Sequence, residues 1–213
     1  MKLVNTPGIG AFAMSALVLA FGSNTYAAKF NQPREKAPGI EGGEISNVAA
    51  TVEKRDVVIT RTFDAPIEVV WKAWTEPEFV MRWWGPTGFT SPTCKIDFRV
   101  GGKYVFHMRA PKDFQGGQDF YTAGVYKKIV PLTLIEFTQG FADKDGNAID
   151  PAAMGMPPDF PKEIPSSLGF KRVGNKTELT VTEYGWTVGQ MRDLSESGMN
   201  ECLDKLAIAL ANR

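Results

Sequence analysis

The sequence predicts an α+β domain in which a curved antiparallel sheet of about six to seven strands wraps on one long C-terminal helix. Three observations carry this reading. Short β-type segments, parted by Gly- and Pro-bearing turns, recur from Phe89 to Tyr184. Helical spacing appears in two short stretches directly after the first strand. The last two dozen residues carry a single apolar stripe at helical spacing. Sheet and helix each have one face to bury, and laying the helix across the sheet buries both.

Asp56 to Phe63 (DVVITRTF) is rich in β-branched residues and reads as the first strand. Asp64 is placed to cap the following helix, and Pro66 stands in its first turn, where a missing N–H does no harm. Ile67, Val70, Trp71 and Trp74 then form one apolar stripe. Thr75 and Glu78 have capping-box spacing, so a second short helix (EPEFVMRWW) is predicted up to Gly85-Pro86. Lys95 to Val100 is the next strand, ended by Gly101-Gly102. Lys103 to Arg109 alternates, with Tyr104, Phe106 and Met108 on one face and Val105, His107 and Arg109 on the other. Further strands are predicted at Phe120 to Val130, Leu132 to Thr138, Ser167 to Val173 and Thr177 to Tyr184, with a Gly174-Asn175 turn before the last. The connection from Phe141 to Pro165 is long for a compact domain and carries Met154 and Met156, which suits an adaptable lid. The final helix spans Val188 to Ala211, with Met199, Leu203, Leu206 and Leu210 on its stripe.

Upstream of this unit, Lys2 precedes an uncharged apolar run from Ile9 to Phe21, followed by Thr25-Tyr26-Ala27. That order of parts is expected of a cleavable signal peptide covering residues 1–27, and so of a periplasmic or secreted protein. The run is too short for the roughly 20 apolar residues of a membrane span, so no stable membrane insertion is expected after cleavage. Residues 28–52, with Pro33, Pro38, Gly39, Gly42 and Gly43, read as a flexible leader, and residues 53–213 as the domain.

With 24 basic and 24 acidic residues the chain lacks the cationic surplus that nucleic-acid binding needs, so no nucleic-acid partner is expected. One histidine and two cysteines are too few for an ordinary zinc site. The segment Asp143-Lys144-Asp145-Gly146-Asn147 starts like a calcium loop, but Ala148 and Met154 stand where its glycine and glutamate belong. No metal or cofactor is therefore expected. His107 falls on the outward phase of its strand, where a surface or structural role is expected before a catalytic one. The carboxylates Asp97, Asp113, Asp119 and Glu183 have no spacing that forces a pair, so no catalytic residue is assigned. Cys94 and Cys202 are read either as a disulfide tying helix to sheet or as two buried thiols. Asn175-Lys176-Thr177 matches a glycosylation acceptor, which a tight turn makes incidental.

The run FDAPIEVVWKAWTEPEFVMRWWGP followed by DFRVGGKY resembles the START-like, or SRPBCC, superfamily, and within it the group named for the C-terminal domain of the activator of Hsp90 ATPase. AGVYKKIVP, LTLIEFT, DKDGN and NKTELTVTEYG also fit, so the resemblance covers Asp56 to Arg213. It implies a helix-grip fold with a cavity between sheet and C-terminal helix, used by relatives for lipids, sterols, polyketides or plant hormones. Two departures stand out. Gly198-Met199 replaces a common Gly-Trp pair, and nothing resembles the chaperone-binding domain of the Hsp90 activators.

These readings predict a small exported protein that holds a hydrophobic or amphipathic small molecule. Its expected ligand-binding residues are Trp83, Trp84, Tyr104, Phe106, Met108, Tyr121, Phe137, Phe170 and Met199, with the Tyr104 or Tyr121 hydroxyl orienting the ligand. Trp71 and Trp74 are expected in the core. Trp83 and Trp84, being neighbours, are not expected to enter one core together. Two alternatives are a polyketide cyclase- or hydratase-like enzyme using the same cavity, and a co-chaperone-like module of the cell envelope.

Overall fold

The computed structural model describes residues 53–114 and 116–212. The signal peptide and leader fall outside the described residues. The elements are β1 (Lys54–Phe63), α1 (Ile67–Thr75), α2 (Pro77–Val80), β2 (Cys94–Ile96), β3 (Lys103–Arg109), β4 (Asp119–Val130), β5 (Leu134–Ala142), β6 (Ile164–Val173), β7 (Lys176–Thr187) and α3 (Gln190–Ala211). All seven strands form one antiparallel sheet in the order β1-β7-β6-β5-β4-β3-β2. With α3 laid across one face, this is the helix-grip fold expected.

Alternation decides which side chains face α3. On β7, Thr177, Leu179, Val181 and Glu183 are buried while the residues between them are not. On β3, Tyr104, Phe106 and Met108 are all buried on the same phase. α3 answers with Met199, Cys202, Leu203, Leu206 and Leu210. Removing this apolar surface from water is the main force joining the two layers. Between β4 and β5 the backbones come unusually close: a Cβ on Gly124 would stand 1.6 Å from the Thr138 carbonyl oxygen, so only glycine fits.

Polar ties hold α3 in place. Lys205 Nζ donates to the carbonyls of Gly85 and Phe89, each at 2.8 Å, and Arg61 reaches Asp204 at 2.7 Å and Asn200 at 2.8 Å. The connection after β5 is an Asx turn at Asp143, then a 3-10 turn at Pro151–Met154, and Met156 and Phe160 are buried beyond it.

Several local expectations are corrected. The residue directly before α1 is Pro66, not Asp64, and it offers no side-chain cap. Thr75 does not open a capping box either, because its hydroxyl turns back to the Trp71 carbonyl at 3.0 Å. α2 is therefore a single turn, and Met81 to Trp83 continue as turns. That bend lets Trp83 and Trp84 both enter the core, at 1% and 6% exposure, where continuous secondary structure would have separated them. β2 is three residues long, and β5 and β7 run past their predicted ends. Of the two readings of Cys94 and Cys202, the free thiols hold: no bond joins them, and burial pushes both up to about 12. The Thr177 hydroxyl of the glycosylation motif is buried and donates to the Ala65 carbonyl at 2.7 Å.

Candidate functional site

Between α3 and the sheet lies a small cavity of about 20 Å³, room for about one water molecule. Its walls are Trp74 and Trp84 from the helical segment, Tyr104 and Phe106 from β3, Tyr126 from β4, Ile135 and Phe137 from β5, Leu168 from β6, Val181 from β7, and Met199 from α3. Aromatic rings meet edge to face across it, Trp84 on Phe106 at 4.8 Å and Tyr104 on Phe137 at 5.9 Å. Only two wall residues besides the aromatics are polar, Gln139 and Ser166.

Of the nine sequence-predicted ligand residues, Trp84, Tyr104, Phe106, Phe137 and Met199 meet at this cavity. Trp83 is packed behind Trp74, and its indole N–H donates to the Ala73 carbonyl at 2.8 Å. Phe170 packs on Trp71 instead. Met108 and Tyr121 border a separate hollow of about 280 Å³ with Phe141 and Met154. Neither tyrosine hydroxyl is placed to orient a ligand here. Tyr104 spends its own on the Thr138 carbonyl at 2.8 Å, and Tyr121 lies on the far phase of β4.

The wall holds two unsatisfied donors. The indole N–H groups of Trp74 and Trp84 are buried with no partner. An orphaned buried donor is destabilising by about 1–3 kcal/mol, so both have something to gain from an added oxygen.

Behind Gln139 stands a carboxylate to which the sequence assigns no role. Glu183 is 1% exposed and accepts from Gln139 Nε2 at 3.0 Å, Trp186 Nε1 at 3.0 Å and Ser195 Oγ at 2.6 Å. None of the ion pairs among the described residues includes it. Desolvation raises its carboxyl above the ordinary 4.5, against the three hydrogen bonds, which lower it. The signal was present in the sequence: an acid in phase with Leu179 and Val181 on the buried face.

His107 takes the structural one of its two expected roles. It sits on the outer face, yet it is 3% exposed, because Tyr121 stacks on it at 4.5 Å and the segment around Thr93 covers it. Its Nδ1 is 2.9 Å from the Thr93 hydroxyl and its Nε2 is 3.0 Å from Asp119. Arg109 grips the same carboxylate at 2.6 and 3.0 Å, and holds Asp119 down to about 2. The sheet separates this cluster from the cavity. A groove of about 420 Å³ also runs along the outer face between Lys103, Gly124 and the turn at Gly146. It is larger than the interior cavity, but it has a charged rim of Lys103, Lys162 and Glu163 and no orphaned polar atom.

Comparison with known proteins fits this architecture. The family model described as Activator of Hsp90 ATPase homolog 1-like protein matches residues 64–211. The chain belongs to that family. Among solved structures, protein NE0264 from Nitrosomonas europaea is similar at a TM-score of 0.58 and 21% identity, over 74% of this chain and 94% of that one. A protein from Staphylococcus epidermidis is similar at 0.56 and 27%, over 76% and 94%. The AHSA1 protein from Silicibacter pomeroyi is similar at 0.58 and 22%, over 74% and 99%. No curated protein matches. Members of this fold generally bind hydrophobic ligands.

Proposed function

We propose that this protein is exported and holds an apolar or amphipathic small molecule beneath α3. The observation that carries the reading is the pair of unpartnered indole donors, Trp74 and Trp84, in the wall of an otherwise apolar cavity. A ligand there buries its apolar body among aromatic rings and offers an oxygen to those donors. With room for about one water molecule, the cavity must widen to admit it. Met199 is the softest wall residue, so it is the natural part to move. Export rests on the Lys2, Ile9–Phe21 and Thr25-Tyr26-Ala27 pattern.

The cyclase- or hydratase-like alternative gains a buried carboxylate in Glu183. That carboxyl is shielded from the cavity by Gln139 and already holds three donors, which suits positioning better than proton transfer to a substrate. The test is to purify the protein from the cell envelope or medium, identify co-purifying small molecules by mass spectrometry, and titrate the stripped protein with fatty acids, sterols and aromatic polyketides. Saturable binding and a mature N-terminus at Ala28 are expected. A stripped protein that binds none of them, with nothing co-purified, overturns the binding role.

A further inference from the structure

The polar part of the cavity can be read by counting protons. Gln139 has two amide N–H donors, and both are spent: one on Ser166 Oγ at 3.1 Å, one on Glu183 Oε1 at 3.0 Å. Ser166 turns its own proton to the Ile164 carbonyl at 3.3 Å while accepting from Gln139. What the two polar wall residues have left is the Gln139 carbonyl oxygen and a lone pair on Ser166. Both are acceptors.

Glu183 is the reason for this polarity. A carboxylate only accepts, so the amide beside it must present nitrogen and turn its oxygen elsewhere. Its position is fixed independently by Trp186 and Ser195, which bind Oε2. When ionised it has no cationic partner among the described residues, so a second negative charge brought into the cavity would meet repulsion at low dielectric.

We propose that the molecule taken into this cavity carries a non-anionic head group that donates a hydrogen bond, an alcohol or an amine, and that Glu183 sets this preference as a positioning residue by orienting the Gln139 amide. The inference rests on the binding role proposed above and narrows its ligand. The indole donors of Trp74 and Trp84 add a place for a carbonyl, ether or hydroxyl oxygen on the same molecule. Fatty-acid carboxylates are disfavoured.

Three probes with one aromatic body separate the possibilities: 2-naphthol, 2-methoxynaphthalene and naphthalene-2-sulfonate, titrated calorimetrically into the purified protein at pH 7. The expected order is naphthol at least tenfold tighter than the methyl ether, with the sulfonate weakest. In Glu183→Gln the Gln139 amide is free to flip and present its N–H groups, so the naphthol preference should vanish or invert while the protein still binds. Gln139→Leu is the second variant, and should lose the preference while keeping the ether. A methyl ether or sulfonate that binds wild type as tightly as naphthol overturns the inference but leaves the binding role standing. So does an unchanged preference in either variant. Binding of none of the three overturns both.

A pH series adds a readout that a merely structural Glu183 would not move. As pH falls, the carboxyl takes a proton, the amide need no longer present nitrogen, and the naphthol preference should narrow. The other titratable groups that feel Glu183 are Tyr104 on β3 and Cys202 on α3. Both are raised far above this range by burial and stay silent.

Discussion

Glu183 is held by three neutral donors, an arrangement that satisfies hydrogen bonds without neutralising charge. Each donor favours the ionised form, yet loss of solvent outweighs them and raises the carboxyl above 4.5. A raised carboxyl binds its proton more tightly in the folded chain than in the unfolded one. Its contribution to stability is therefore full below about pH 4.5 and is lost as pH rises through the raised value. Glutamine does not titrate, so the melting-temperature difference between wild type and Glu183→Gln should shift in favour of the variant from pH 4 to pH 7. Each unit of elevation corresponds to about 1.4 kcal/mol. Calorimetric melts at pH 4, 5.5 and 7 measure this, and a difference independent of pH would refute it. Asp119 behaves in the opposite sense, held to about 2 by Arg109 first and His107 after it. Its contribution disappears only in strong acid, and it cancels in the comparison because both proteins keep it.

Among the elements, α3 owes part of its seating to one lysine. Lys205 Nζ reaches the carbonyls of Gly85 and Phe89, so the turn that carries Trp84 and the helix that covers the cavity share a single cation. Lys205→Met keeps the stem but leaves those carbonyls without a charged donor, which should destabilise by about 1.5–3 kcal/mol in urea unfolding. A loss below about 0.5 kcal/mol would show that water replaces the ammonium. How much of these elements was legible in the sequence follows from their physics. β3 was read at its full length because Lys103 to Arg109 alternates without a break, and the stripe through Met199, Leu203, Leu206 and Leu210 fixed the buried face of α3. α2 was overread because Thr75 and Glu78 have cap spacing, while the Thr75 hydroxyl spends itself on the preceding turn. Alternation on β3 and the stripe of α3 made Tyr104, Phe106 and Met199 legible on the cavity side, whereas Trp84 follows a turn whose direction no period predicts. Gln139 and Ser166 were not legible, because their places depend on the register that sets Phe137 beside Ser166 and Gln139 beside Ile164.

Taken whole, the molecule grips its helix unevenly. The C-terminal half of α3 buries Cys202, Leu203, Leu206 and Leu210 and adds the Lys205 contacts, while Met191 and Leu194 in the first half are only half-buried. The first turns, up to Ser197, are held largely by polar links, Ser195 to Glu183 and Arg192 to the Asp56 carbonyl. Opening should therefore begin at that end. Amide hydrogen exchange followed by mass spectrometry is expected to be faster across residues 190–198 than across 202–210, and a saturating ligand should slow the first stretch most. Uniform protection along the helix would contradict this. Trp186 lies where these effects converge: its indole donates to Glu183, and Phe160 of the long connection packs on its ring at 5.5 Å. The protein thus carries a built-in fluorophore, whose emission, isolated by subtracting the spectrum of Trp186→Phe, should register the charge on that carboxyl and the packing of Phe160 without any added label.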